Sequence, residues 1–578
     1  MVTLKINGIS VTVPEDYTIL QAAKEINIEI PSLCYLKDIN CIGSCRVCVV
    51  EVVERGRSRL VASCVYPVAE GMEVYTNTTA VRTSRRTTIE LILSTHHKKC
   101  LSCVRGNNCE LQKLAFDYGV DEDRFAQEEI KYEIDDKSPY LIRDNNKCIL
   151  CRRCTAVCNK IQTVGAIGEI ARGYKVHIDC AFEKSLNDAA CVGCGQCIVA
   201  CPVGALNEKS NIDEVWGAIA DPTKRVVVFT APSIRATLGE CFDMPVGTNV
   251  EGKMVAAIHR LGVDEVFNMD VTADLTIMEE ATELLERIQH KDVLPMFTSC
   301  CPGWVKFVEH FYPEFIPNLS TCKSPQQMFG AVLKTYYAQK LGIDPKDLFV
   351  VSVIPCTAKK FECTREEENA FDFKDVDVSL TTRELSKMIK GAGLKFTDLK
   401  DEKFDNPFEV ATGAGAIFGA TGGVMEAALR TAADVLDGDS SKIEFKEVRG
   451  TEGIKEASYT LGGQKLNVAV ASGLGNARKL LESIKSGEKV YHFVEVMACP
   501  GGCVNGGGQP VQGDSVRNYV DLKTLRAKAL YNTDKKLKYR KSHLNPIINM
   551  LYDEYFDAPG KHRAHRLLHT TYVKRSKF

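Results

Sequence analysis

The sequence predicts a multidomain protein of mixed α+β and α/β class, and three observations carry that expectation. The chain has 578 residues with 45% hydrophobic content, enough for several cores. Its first part alternates short strand-like runs with cysteine-rich loops, whereas from Val226 onward β-branched runs alternate with amphipathic helices. Its 25 cysteines fall mostly into tight clusters whose spacings differ from one another. Four units follow: residues 1–80, 81–125, 126–210 and 211–578.

Composition removes several classes of function. Disulfide frameworks belong to short secreted chains, and this chain is long. The opening MVTLKINGIS has a lysine and a polar turn where a secretory signal has its apolar core, and no run approaches a membrane span. The chain is therefore expected to be cytoplasmic, without a membrane partner. Lys plus Arg of 73 against Asp plus Glu of 75 gives a formal charge of −2 and excludes a dedicated nucleic-acid surface. The basic stretch Lys561 to Lys577 reads equally as a solvated end or a binding site.

Thr3 to Val13 predicts two strands around Asn7-Gly8, the dipeptide of a type I′ hairpin, and Thr18 to Ile26 predicts a helix. Cys34, Cys45 and Cys48 follow in a loop containing Gly43, with Cys64 on the next strand-like segment, Arg59 to Tyr66. Four thiolates so placed can wrap a 2Fe-2S cluster. Their spacing departs from the plant ferredoxin rule but matches the N-terminal domain of the large iron-sulfur subunit of respiratory complex I, which implies a ferredoxin-like β-grasp domain. Cys41 is assigned to the loop and not to iron.

Val81 to Thr95 predicts a polar helix with an apolar stripe, and His96, Cys100, Cys103 and Cys109 follow it. A histidine alone there would be a surface residue, as His97 is expected to be. Beside three soft thiolates, His96 becomes a ligand candidate for a 4Fe-4S cluster, and a neutral imidazole in place of a thiolate raises the potential. The same element follows the 2Fe-2S domain in the complex I subunit. Residues 121–143 are charged and without periodicity, a connector into the next unit.

That unit contains an internal repeat, Cys148, Cys151, Cys154, Cys158 and then Cys191, Cys194, Cys197, Cys201 before Pro202. This is the two-cluster ferredoxin pattern, in which the last cysteine of each run serves the other cluster. Cys148, Cys151, Cys154 and Cys201 are assigned to one 4Fe-4S cube, and Cys191, Cys194, Cys197 and Cys158 to a second. Three steps of three with a distant fourth do not suit one tetrahedral zinc. Cys180, Cys241, Cys322 and Cys363 lack such context and are expected in the core.

In the last unit the runs Val226 to Ala231, Leu294 to Phe297, Leu348 to Ile354, Leu466 to Val470 and Tyr491 to Val496 predict strands of parallel β/α units. Three of them lead into cysteine motifs: TSCCPGW from Thr298, PCTAKKFE from Pro355 and EVMACPGGCVNGGGQP from Glu495. The glycines 506–508 read as close backbone approach to a large inorganic group; no nucleotide-phosphate fingerprint occurs there.

These three motifs resemble those of the FeFe-hydrogenases, and the whole chain resembles their clostridial, monomeric, multi-cluster form. The resemblance implies a large α/β catalytic domain and a six-iron H-cluster. Cys301, Cys356, Cys499 and Cys503 would hold its 4Fe-4S part, with Cys503 bridging to a two-iron unit that carries carbon monoxide, cyanide and a dithiolate amine. It further implies that Lys359 hydrogen-bonds one cyanide, that Pro232 and Ser233 lie near the other, and that Met497 packs against the two-iron unit. Ile354 departs from the methionine found there in many members. Cys300 is implied as the first proton carrier. On the helix expected over Thr276 to Gln289, Glu280, Glu283 and Arg287 form one stripe, which by itself reads as a solvated face. The resemblance instead implies a relay of Cys300, Glu280, Ser320 and Glu283, with Arg287 near the exit.

The implied activity is reversible reduction of two protons to molecular hydrogen, with electrons from ferredoxin or a flavodoxin-like carrier passed through one 2Fe-2S and three accessory 4Fe-4S clusters. Maturation proteins are implied for the two-iron unit. The alternatives are a hydrogen-sensing relative, a complex I-like electron-transfer subunit, and an iron-sulfur assembly relative without the two-iron unit. The complete motif set, with Cys300, Glu280 and Glu283 present, favours turnover.

Overall fold

A computed structural model describes residues 1–54, 56–125, 130–371, 373–438 and 445–577, so positions 126–129 of the expected connector lie outside the described residues. The hairpin Val2–Ile6 and Ile9–Val13 turns at Asn7 and Gly8, whose φ values of 50° and 83° are those a type I′ turn demands. Glu73–Tyr75 pairs parallel with Val2–Ile6, and Val49–Glu54 and Arg57–Ala62 complete a five-stranded mixed sheet. The helix Ile19–Glu25 is closed by a capping box of Thr18 with Gln21 and buries Ile19, Leu20, Ala22 and Ala23 in the same core as that sheet. The last strand stops at Ala62, so Cys64 lies in the following turn and not on a strand as expected.

The helix Thr79–Leu93 starts at its Thr78 cap, and its buried Arg85 donates twice to the Val49 carbonyl, fixing it on the sheet. The ferredoxin-like unit has two short antiparallel ladders, Leu141–Arg143 with Leu206–Glu208 and Gly168–Ile170 with His177–Asp179. Its helices Arg153–Ala156 and Gln196–Ala200 are each entered through a left-handed residue, Arg152 (φ 61°) and Gly195 (φ 68°). The sequence repeat is thus repeated in the backbone.

The C-terminal unit holds two four-stranded sheets. One is wholly parallel: Glu265–Asn268, Arg225–Thr230, Leu348–Val353 and Val378–Leu380. The other runs Met296–Phe297, Phe493–Met497, Gln464–Ser472 and Ile454–Leu461. Its first three strands are parallel and the last is antiparallel, joined through Gly462 and Gly463 at positive φ. That edge strand, Ile454–Leu461, was not among the runs expected from the sequence.

The helix Asp270–His290 lies between the two sheets, with Val271 and Leu275 in one core and Ala273, Ile277 and Leu284 in the other. Glu279 and Glu280 are each 1% exposed and Arg287 9%, so the solvated-face reading of this stripe is wrong. With a core on each side, the polar stripe faces protein.

The basic tail is anchored at several points although most of its basic side chains are exposed. Thr570 donates its N–H to the Thr321 carbonyl, Tyr572 its hydroxyl to the Ser320 carbonyl, and Arg575 pairs with the buried Glu309 at 2.6 Å. No helix among the described residues is long and apolar enough to cross a membrane.

The ferredoxin-like and C-terminal units meet where no side chain fits. A Cβ on Gly195 would stand 2.4 Å from Thr357 Oγ1 and 2.9 Å from the Gly507 Cα. Thr357 cannot yield, because its hydroxyl donates to the Gly193 carbonyl at 2.6 Å. Gly195→Ala is expected to destabilise this junction by about 1–3 kcal/mol through overpacking and a left-handed backbone. A lower thermal midpoint with faster proteolysis between the units checks it; an unchanged midpoint would contradict it.

Candidate functional site

Cys34, Cys45, Cys48 and Cys64 come together. Hydrogen bonds from Cys45 and then Cys64 draw the Cys34 thiol down, and Cys64 does the same for Cys48. Cys41 is exposed. In the next unit His96 is buried, its Nδ1 has no partner, and burial pushes the ring down to about 4, so it is a neutral imidazole with a lone pair to offer. Cys100, Cys103 and Cys109 are exposed or half-buried on the loop that follows.

A small cavity of ≈ 20 Å³ is lined by Cys148, Cys151, Cys154 and Cys201, and one of ≈ 30 Å³ by Cys158, Cys191, Cys194 and Cys197. The grouping is the crossed one expected from the repeat. Two contacts reach the first cavity from the N-terminal units. Asn40 donates from Nδ2 to the carbonyls of both Cys34 and Cys151, at 2.8 and 3.1 Å. Arg105 donates to the Cys201 carbonyl at 3.3 Å, and Gly204 lies against the Cys103 thiol.

Past the strand ends of the C-terminal unit, where parallel sheets place ligands, stand Cys301, Cys356, Cys499 and Cys503. Burial, and after it Cys356, Cys194, Cys301 and Cys503, pushes the Cys499 thiol far up. Burial and then Cys301 push Cys356 up to about 12. Unbound, these thiols are neutral; a cation among them makes thiolates. Cys194, of the second cavity, is among the neighbours of Cys499.

The glycines 506–508 are packed against protein backbone. Added Cβ atoms would meet the Pro355 carbonyl at 2.1 Å, the Cys194 carbonyl at 2.2 Å and the Pro355 carbonyl carbon at 2.9 Å. Protein backbone by itself already excludes side chains there.

Cys300 adjoins this crevice, its thiol pushed well up by burial and then by Glu280. Burial and then Glu283 push Glu280 up to about 8, and neither of its carboxyl oxygens has a hydrogen-bond partner. Ser320 Oγ donates to Glu283 Oε2 at 2.8 Å, and Arg287 to Glu283 Oε1 at 2.6 Å. Ser320, Glu283 and Arg287 are thus bonded in series, and Ser320 also faces Glu280, where with the Ser299 N–H it offsets part of the upward push of burial. Lys359 donates to both Glu362 oxygens at 2.9 Å. Burial alone would lower Lys359, but the Glu362 carboxylate outweighs it and holds the ammonium above its ordinary value.

Ser233 follows the strand Arg225–Thr230 and Pro232, fully buried with an unpartnered hydroxyl. Met497 is buried in the apolar cluster against which Cys300 and Cys503 pack. The donor set fits the implied group: four soft ligands, one buried and three half-buried, with unsatisfied polar atoms around them. Sequence reading missed Gln162, which bridges the Ala498 carbonyl and the Leu474 N–H, and no local pattern marks it. It also missed Glu362, although the three-residue step from Lys359 on a helix was a usable signal.

The family described as "Iron only hydrogenase large subunit, C-terminal domain" matches residues 224–507, and "Iron hydrogenase small subunit" matches 520–575. A 2Fe-2S iron-sulfur cluster binding domain matches 1–79, the NADH-ubiquinone oxidoreductase-G iron-sulfur binding region 85–124, and the ferredoxin-like domain of NADH-quinone oxidoreductase subunit 3 138–207. The chain is 49% identical to NADP-reducing hydrogenase subunit HndD of Solidesulfovibrio fructosivorans, over 100% of both chains. It is 46% identical to iron hydrogenase 1 of Clostridium pasteurianum, over 99% of this chain and 100% of that one. An apo FeFe-hydrogenase structure from Chlamydomonas reinhardtii is 42% identical with a TM-score of 0.57, covering 63% of this chain and 99% of its own. With relatives of this identity matched from end to end, the chain belongs to the FeFe-hydrogenase family.

Proposed function

We propose that this chain interconverts two protons and two electrons with molecular hydrogen. The observation that supports this best is one crevice in which four cysteines, Cys499 buried and the other three half-buried, meet Cys300 and Glu280 and adjoin Cys194. Cys301, Cys356, Cys499 and Cys503 would hold the H-cluster, which when bound supplies the redox-active irons.

The chain's own residues supply position, dryness and protons. Cys300 and Glu280, both kept protonated by burial, hold protons at Sγ and at the carboxyl. Ser320 and Glu283 continue the route towards Arg287 by direct hydrogen bonds. The Lys359 ammonium, fixed by Glu362, is a charged donor for an anionic ligand, and the free Ser233 hydroxyl is a neutral one. Met497 closes the apolar side.

Units 1–80, 81–125 and 126–210 would carry one 2Fe-2S and three 4Fe-4S clusters ahead of the catalytic unit 211–578. His96 would be a ligand of the second of these. Ferredoxin or a flavodoxin-like carrier is the electron partner we assign, and maturation proteins would install the two-iron unit. A second reading comes from the relative named as a subunit of an NADP-reducing hydrogenase. On that reading NADP acts through another subunit, since this chain has no nicotinamide fingerprint. Purified chain that evolves hydrogen from reduced ferredoxin but not from NADPH alone fits both; inactivity with ferredoxin favours the second.

Anaerobic protein co-produced with the maturation proteins is expected to evolve hydrogen rapidly from reduced methyl viologen; fully iron-loaded protein that evolves none would sink the proposal. Cys300→Ala is expected to keep its iron and lose turnover by about 10²-fold or more, and parallel loss of iron and activity would remove its carrier role. The raised Glu280 carboxyl keeps its proton below about 8 and loses it as pH rises through that value, so hydrogen evolution is expected to fall there. Glu280→Gln should be slow throughout and lack that inflection. His96→Cys should retain its cluster at a lower potential, read by a titration followed by electron paramagnetic resonance.

A further inference from the structure

Among the described residues, one group of three metal-ligating side chains has its ligand atoms within 4.8 Å of one another: Glu283, Cys322 and His569. We propose that these three residues form a separate site for a single zinc-type divalent cation, and that an ion bound there closes the proton route.

Each ligand has a defined atom. His569 Nε2 lies 3.1 Å from Glu279 Oε2 and Nδ1 lies 2.7 Å from Thr321 Oγ1. Glu279 is itself held by the Tyr552 hydroxyl at 2.5 Å and the Gly560 N–H at 2.8 Å, so it is oriented to accept from the imidazole. With the Nε2 hydrogen given to Glu279, the Nδ1 lone pair accepts from the Thr321 hydroxyl, the bond that an ion would displace to take this nitrogen. A carboxylate on the far nitrogen is the partner that orients metal-binding histidines. Cys322 Sγ lies 3.6 Å from Glu283 Oε2. Sulfur, imidazole and carboxylate together suit zinc and not magnesium or calcium.

The ion has a way in. A cavity of ≈ 280 Å³, lined by Glu279, Glu283, Arg287, Thr321 and His569, borders the outer end of the relay and reaches two of the three ligands, with Cys322 buried behind them. Its effect follows from one oxygen. Arg287 occupies Glu283 Oε1, whereas Oε2 accepts from Ser320 and is the oxygen nearest the Cys322 sulfur. A cation taking Oε2 replaces the Ser320 hydrogen bond, so the route between Ser320 and Glu283 is cut. This blocking step rests on the proposed relay; the site itself does not.

The test uses cluster-loaded holoenzyme and zinc chloride, followed by isothermal titration calorimetry and by hydrogen evolution. One site per chain is expected, with inhibition that a chelator reverses. Cys322→Ser and His569→Gln should each weaken zinc binding by at least about tenfold, with inhibition shifted in parallel when rates are normalised to each variant's own zinc-free rate. Zinc affinity unchanged in both variants, or abolished by Cys41→Ser at the exposed thiol, would overturn the site. Binding lost in the two variants but without inhibition of the parent would keep the site and overturn the blocking step.

Discussion

The contact between the backbone at Cys194–Gly195 and that at Gly507 is the constraint on which the rest of the structure depends. It brings two chain segments together without side chains between them, and Thr357 locks it from the flank. Glycine at 195 and 507 follows from this approach. So does the adjacency of Cys194 to Cys499, which joins the last accessory cavity to the buried crevice. Gln196, donating to the Asn505 carbonyl, and Gln162, bridging Ala498 and Leu474, hold the same seam from its two sides.

Desolvation then governs the chemistry. In water a carboxyl ionises and a thiol is a weak acid; in this crevice both are held neutral because no solvent stabilises their charge. Glu280 and Cys300 depend on burial in one helix and one loop, and the helix Asp270–His290 can bury Glu280 because it has a hydrophobic core on each side. Lys359 is the opposite case: it keeps its charge in the same interior because Glu362 is bonded to it.

Much of this was legible in the sequence, because iron-sulfur ligands are spaced along the chain at short, fixed steps. The crossed grouping of the eight ferredoxin-like cysteines and the hairpin at Asn7-Gly8 follow from local pattern. The face of the Glu280 helix did not, since a charged stripe has the same periodicity whether solvent or a second core covers it. The anchoring of the tail was likewise hidden, because Glu309 is far away in sequence. The glycines near Cys503 signalled close approach, but a missing side chain says only that something is near. Gln162 and His569 act through partners hundreds of residues away and have no local signature.

Asn40 and Arg105 bring two separate N-terminal units to the same cavity, while one seam leads out of the ferredoxin-like unit. The architecture is a funnel with two mouths and one spout. Both N-terminal units also reach the segment after Cys503 directly, Ser32 donating to Asp514 and Asn108 to the Val511 carbonyl. The Chlamydomonas chain, matched over 99% of its length by 63% of this one, has the extent of a catalytic unit without a funnel. Diversification of donors and conservation of the chemistry are therefore separable problems in this family, though not independent ones in this chain.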